Sequence, residues 1–335
     1  MKKLLFLLLA SALNAQPWGS SESTTPVGVT NIPLPGGTVE SPSYTFLSSA
    51  YMQDPAYAGM VDAINESTLT LIDFDENGYE DHELTQAGHL LRITDGNGDG
   101  NADLFSTVNG LIFPVVDNVG NDITINLPPD QVSTYFALYD SVEIIQANTL
   151  GSLFGTGDDF VGLTGKPASG DNLIIWSSVG WKVYFHYQNK WQTFGTRNDQ
   201  KNTIIYPDEG MVYARKSDAL TLSFSGNVAL SIHSYRPGSG GKFLMSNPFP
   251  ITMTLSQLID PSSNWISGTI LNEVDQVLFW SGSAWVTYYH NGTDWINLME
   301  STIDDRSIES AGSFFILRAN NPSLSEAYYK LDIPE

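Results

Sequence analysis

One stretch of this chain is written twice. Residues 171–191 read DNLIIWSSVGWKVYFHYQNKW and residues 275–295 read DQVLFWSGSAWVTYYHNGTDW, a gapless match at a constant offset of 104. Asp171/Asp275, Trp176/Trp280, Ser177/Ser281, Trp181/Trp285, Tyr184/Tyr288, His186/His290 and Trp191/Trp295 coincide, and the apolar positions between them correspond. Six of the eight tryptophans lie in these two blocks. A period this long means duplicated domains rather than a solenoid of short units.

The match extends outward. IIYPDEGMVYAR at 204–215 pairs with SIESAGSFFILR at 307–318, and TLGSLFG at 149–155 pairs with TLSQLID at 254–260. Further upstream, VALSIHSYRPGSGGKFLMSNPF at 228–249 finds its counterpart only near the N-terminus, in VGVTNIPLPGGTVESPSYTFLSSAY at 27–51. The first module is therefore expected to be discontinuous, 26–55 joined to 148–227, with an inserted domain at 56–147 and a continuous second module at 228–335. The insert carries its own short β-branched runs, STLTLIDF, HLLRITD, GLIFPVVD and NDITINL, separated by Asn, Asp and Gly. STYFALYDSVEIIQ at 133–146 is ambiguous between helix and strand. The expected class is all-β: two duplicated β-sandwich-like modules, the first interrupted by a small inserted β-barrel.

MKKLLFLLLASALNA at 1–15 has a basic start, a short apolar run and small residues at Ala10, Ala12 and Ala15, the pattern of a secretory signal peptide. Export places the protein outside the cell, at the cell surface or in the periplasm, and no stretch is apolar for long enough to span a bilayer as a helix. Cysteine is absent, which removes disulfides, thiol catalysis and cysteine metal sites. With a formal net charge of −22, the surface repels phosphate backbones, so nucleic acid is not an expected partner.

The segments LMSNPFPITMTLSQLI, QVLFWSGSAWVTYYHN and SAGSFFIL, with TTPVG at 24–28 and TLGSLFG mid-chain, resemble an uncharacterised paralogous family of secreted proteins of Verrucomicrobia and related bacteria, in which β-sandwich-like surface modules carry an Asn-Pro-aromatic-Pro turn before a Trp/Tyr hairpin. The resemblance implies export and β-structure. It carries no chemistry, and the acidic glycine loops described below depart from it.

Alternation places Trp181, Val183 and Phe185 on one strand face and Lys182, Tyr184 and His186 on the other. Lys182 marks the second face as the wetter one, which makes Trp181 and Trp285 core residues. Trp176 and Trp280 end the apolar runs LIIW and VLFW and also read as core. Trp295 alternates with Asn297, so Tyr184, Trp191, Tyr288 and Trp295 are the candidates for an exposed aromatic platform that would bind carbohydrate or cover a module junction.

Nothing reads as a catalytic set. No HExxH, phosphate-cradling glycine loop or GxSxG occurs. His186 and His290 are repeat equivalents, which suits a role common to both modules better than catalysis. Adjacent carboxylates such as Asp158-Asp159 and Asp304-Asp305 point apart in strands and turns, so a carboxylate-dependent hydrolase is the third reading.

The site-like pattern is DGNGDGNAD at 95–103. Asp95, Asn97, Asp99 and Asp103 fall at loop positions 1, 3, 5 and 9, Gly100 permits the turn, and the Asn101 carbonyl can add a ligand. Hard oxygens at alternating positions around a tight turn suit Ca²⁺. DFDENGYED at 73–81 repeats the spacing with Asp73, Asp75, Asn77 and Asp81, and with the Tyr79 carbonyl. The bland alternative is a pair of solvated acidic turns. The expected function is a secreted or cell-surface, non-enzymatic structural or adhesion-type protein with Ca²⁺-stabilised loops, its partners extracellular polysaccharide or other surface proteins.

Overall fold

The structure is a computed structural model that describes residues 27–335 other than 73, 75–78, 85–87, 97–107, 178–179, 229–230, 238–239, 262–264, 321–325 and 333–335. The signal segment 1–15 lies outside the described residues. The chain opens with β1 (Val27–Leu34) and β2 (Ser43–Leu47). Six strands follow: β3 (Pro55–Asn65), β4 (Thr68–Leu71), β5 (His89–Asp95), β6 (Ile112–Val119), β7 (Asp122–Ile125) and β8 (Ser141–Gln146). Next come β9 (Asn148–Thr149), β10 (Asn172–Ser177), β11 (Gly180–Tyr187), β12 (Lys190–Thr193), β13 (Ile204–Ile205), β14 (Met211–Arg215) and β15 (Leu220–Asn227). The last third holds β16 (Ser231–Pro237), β17 (Lys242–Ser246), β18 (Met253–Thr254), β19 (Gln276–Trp280) and β20 (Trp285–His290). It ends with β21 (Trp295–Asn297), β22 (Thr302–Ile303), β23 (Ser307–Ile308), β24 (Ser313–Leu317) and β25 (Glu326–Asp332). The helices among the described residues are short: α1 (Pro129–Tyr135), α2 (Leu150–Phe154) and α3 (Leu255–Leu258). The protein is all-β.

Strands β3 to β8 close a barrel in the order β3-β4-β7-β6-β5-β8. Closure removes the open edges that short strands would otherwise present, and the interior is filled by Val61, Leu69, Leu71, Phe74, Leu91, Ile93, Ile123 and Ile144. The ambiguous stretch 133–146 is both things in turn. Helix α1 ends at Tyr135, Tyr139 takes a left-handed φ of 70°, and β8 follows. Entry and exit of the barrel are ladder neighbours, Pro55 opposite Ile145. Just outside, Asn148 Nδ2 donates to the Tyr51 carbonyl at 2.6 Å and Gln53 Nε2 donates to Asn148 Oδ1 at 2.8 Å, which stitches the two chain crossings together.

Strands before the barrel pair with strands after it: β1 with β15 and β2 with β14. The resulting five-stranded sheet has the order β12-β11-β10-β14-β2. The last third builds a sheet of order β22-β21-β20-β19-β24-β17, the same sequence of strands with one added at the edge. Each sheet is accompanied by a long two-stranded ribbon, β1-β15 and β16-β25, and by a small pair, β9-β13 and β18-β23. Each small pair leads into a one-turn helix whose first amides are tied locally. Thr149 N donates to Ser152 Oγ at 2.8 Å, and Thr254 N donates to Gln257 Oε1 at 2.8 Å. Gln188 and Asn189 connect β11 to β12 with φ values of 53° and 58°, the mirror-image turn that matches strand twist.

Three apolar layers result. Phe154, Tyr184, Trp191, Tyr213 and Phe224 lie in the core of the first sheet. Phe249, Tyr288, Trp295, Phe314 and Ile316 lie in the core of the second, joined there by Met52 and by Ile145 of the barrel. Between the two sheets Val212, Leu244 and Phe315 are buried against Phe46, Ile174, Trp176 and Leu278. Both faces of each sheet are thus covered at least in part, which is why LIIW and VLFW read as unbroken apolar runs.

Candidate functional site

The aromatic faces are the reverse of the sequence expectation. Tyr184, Trp191, Tyr288 and Trp295 are all at most 2% exposed, so none of them can form a surface platform. Trp181 and Trp285, expected in the core, are 47% and 37% exposed. Lys182 misleads because it stands at the open end of the hairpin and lays its stem back over its own face, with Nζ 5.0 Å from the centre of the Tyr184 ring. Asn297 misleads because it is itself buried, donating from Nδ2 to the Tyr288 hydroxyl at 3.3 Å and accepting the Met299 amide at 3.1 Å. Trp191 donates from Nε1 to the Gly155 carbonyl at 2.9 Å, and Trp295 packs on Trp265 at 5.3 Å between centroids.

The displaced tryptophans frame a cleft of about 460 Å³ where the two sheets diverge. Phe46, Val212, Ile174 and Val183 form its floor on the outer face of the first sheet, and Tyr44 closes one end. Trp181 stands on one side, Trp280 and Trp285 on the other. Each indole is propped by edge-to-face contacts: Trp181 on Trp176 (5.0 Å, 83°) and on Phe315 (5.4 Å, 84°), Trp285 on Phe46 (5.3 Å, 81°) and on Phe315 (5.5 Å, 76°). Trp176 is fixed in turn by donating from Nε1 to the Lys242 carbonyl at 2.6 Å. The lining is almost wholly carbon.

At the barrel the first residue of the acidic loop is the informative one. Asp95 ends β5 opposite Ser141, is 2% exposed, and among the described residues neither of its carboxylate oxygens has a hydrogen-bond partner. A buried carboxylate left bare is costly. Asn97, Asp99, Asn101, Asp103, Asp73, Asp75 and Asn77 lie outside the described residues. Tyr79 stacks on Phe74 at 5.7 Å and 3°, and its hydroxyl is pushed up chiefly by burial and secondarily by Glu83. Asp81 is exposed and accepts the Gly120 amide at 2.8 Å, serving the turn between β6 and β7. Among the described residues, no group of three His, Asp or Glu side chains is placed to hold a metal ion.

The ionisable residues that sequence singled out are occupied structurally. His186 is buried, stacks on Phe160 at 4.5 Å, and is held below the usual histidine range by burial, with Asp199 pulling the other way. His290 shares a hydrogen bond of 2.8 Å with Ser267. Asp304 accepts the Tyr288 hydroxyl at 2.9 Å while Asp305 accepts the Ser256 amide at 2.9 Å, so this adjacent pair does point apart. The repeated aspartate, Asp171 and Asp275, is a buried anchor. Asp171 pairs with Arg215 and accepts the Leu163 and Lys216 amides, and Asp275 pairs with Arg318 and accepts those of Ile266 and Ala319. Its coincidence in both copies was the available signal.

No family model, no curated protein and no solved structure matches this chain.

Proposed function

We propose that the chain is an exported, non-enzymatic structural or adhesion-type protein of the cell surface or extracellular space, made of a duplicated pair of β-modules, 26–55 with 148–227 and 228–335, whose inserted barrel at 56–147 is stabilised by Ca²⁺. Export rests on residues 1–15. The shared strand order of the two sheets supports the duplication. The buried pairing of the repeated aspartates and histidines supports a scaffold in which these groups serve packing.

The observation that carries the metal reading is Asp95. A buried carboxylate with no partner among the described residues calls for a counter-charge, and the sequence directly after it supplies Asn97, Asp99, Asn101 and Asp103 at alternating positions. A cation there would turn mutual repulsion into attraction and stabilise the folded barrel by mass action, by about 2.7 kcal/mol at a hundred times its Kd. Thermal melts of the mature protein in EDTA and in millimolar Ca²⁺, for the wild type and for Asp95→Asn, test this. Ca²⁺ should raise the wild-type melting temperature and leave the variant nearly unmoved, while in EDTA the variant should be the more stable of the two. If Asp95→Asn stabilises equally in both buffers, the loop holds no ion and Asp95 is simply a buried charge.

A further inference from the structure

In the first sheet, Phe46, Val212, Ile174 and Val183 lie opposite one another on four successive strands and make one apolar row across the outer face. The corresponding row of the second sheet is Leu244, Phe315, Leu278 and Thr287. The two rows cover each other in part, with Val212, Leu244 and Phe315 buried together. The match is incomplete: the first row ends in valine where the second ends in threonine, and the cleft lies over the first row, including Val183. The interface between the sheets therefore continues as an open slot walled by Trp181 on one side and by Trp280 and Trp285 on the other.

We propose that this slot is the binding site for a neutral, flat or elongated apolar small molecule. Three observations fix the class. Its volume, about 460 Å³, falls within the range of small-molecule pockets. Its wall is rigid before anything binds, since each exposed indole is held at right angles to a partner ring, so little ordering is needed on binding. Its lining offers almost no polar atoms, so a sugar entering it would leave buried hydroxyls without partners, and ring-face contacts alone would not offset that. The formal charge of −22 disfavours a carboxylate-bearing ligand such as a fatty acid anion. What the slot completes is the carbon surface that the second sheet leaves uncovered.

The probe is N-phenyl-1-naphthylamine, a neutral aryl amine whose emission rises in apolar surroundings. Titrated into the full mature chain, it should bind saturably at one equivalent. Trp181→Ala and Trp285→Ala should each weaken binding about tenfold or more, and Trp285→Phe should retain most of it. Both indoles stand partly at the surface, and circular dichroism melts would check that the variants fold. Should either alanine variant fail to fold, Val183→Ser places a hydroxyl in the slot and should weaken the probe by a similar factor. Maltohexaose that displaces the probe would overturn the apolar class. A slot that takes up probe only on dilution, as sedimentation shows a dimer dissociating, would make it an interface between copies. Absence of saturable uptake by the monomer, or equal uptake by wild type and variants, would overturn the site altogether.

Discussion

Arg318 Nε lies 3.4 Å from the Asp275 carboxylate with both side chains wholly buried, and Arg215 meets Asp171 in the corresponding place of the other sheet. In each case the carboxylate also accepts two backbone amides, one from the loop before its strand and one from just after the neighbouring strand. The acid thus ties three segments together at one end of the sheet. Removing one partner leaves the other charge buried and bare, which costs about 3–5 kcal/mol. Asp275→Ala should lower stability by that order in urea denaturation, and Asp275→Leu/Arg318→Met should recover much of it. Burial is the largest influence on Asp275 and holds its carboxyl above the usual aspartate range, against the amides of Ile266 and Ala319 and the charge of Arg318. With the folded pKa above the unfolded one, the folded state binds the proton more tightly in the window just above pH 3.8, so this group's contribution falls as pH rises through it. Asp275→Asn should abolish that part of the pH dependence.

His186 works in the opposite direction. Burial lowers its pKa below 6.5, so between its folded value and 6.5 the unfolded chain binds more protons and stability rises with pH. The contribution is complete above pH 6.5 and is lost on acidification, at about 1.4 kcal/mol for each pH unit separating the two pKa values. His186→Gln should flatten the stability profile between pH 7.5 and 5.5 relative to wild type in urea titrations. An unchanged slope would place the imidazole in contact with solvent.

The repeat in the sequence is legible because seven side chains recur at one spacing, and four barrel strands, β4 to β7, are legible because their apolar runs are punctuated by Asn, Asp and Gly, whereas β3 carries no such signal and β8 lies in a stretch that also suits a helix. Sequence did not carry the inside and the outside of the hairpins. Alternation says which residues share a face, never which face is buried. The decision rested on Lys182 and Asn297, one a charge that folds back over Tyr184, the other an amide satisfied within the core. The outer face could not be recognised as covered, because what covers it is the other sheet, brought there by tertiary packing. The Asp–Arg anchors stayed hidden for a related reason: Arg215 ends β14 and Arg318 follows β24, both far along the chain from Asp171 and Asp275, and the recurrence of the two arginines at the ends of 204–215 and 307–318 does not by itself say what they meet.

The reassigned tryptophans make a direct stability test. Trp191 and Trp295 fill the cores beside the first and second sheets, so Trp191→Ala and Trp295→Ala should each cost about 3–5 kcal/mol. Trp181 and Trp285 keep part of their surface in water, and their main packing is edge contact with Trp176, Phe46 and Phe315, so their alanine variants should cost about 1 kcal/mol from lost ring contacts plus a partial burial term. Urea midpoints at constant m-value rank the four. The reverse ranking would return the platform to Trp191 and Trp295.

Excision of the barrel separates its role as an insert from its role as packing. Pro55 and Ile145 are opposite each other on neighbouring strands, so a short linker between residues 54 and 147 would span the gap without distorting β2 or β9. Yet Ile145 sits with Met52 in the core of the second sheet, and Ile112 packs against the same cluster. The shortened chain should therefore fold cooperatively but with a lower urea midpoint. Full-length Ile145→Ala should reproduce about 2–5 kcal/mol of that loss while the barrel remains in place. If the shortened chain unfolds at the wild-type midpoint, the contact between barrel and second module contributes nothing. If it fails to fold at all while Ile145→Ala folds normally, the first module needs the barrel to bring β1 and β2 to their partners β15 and β14.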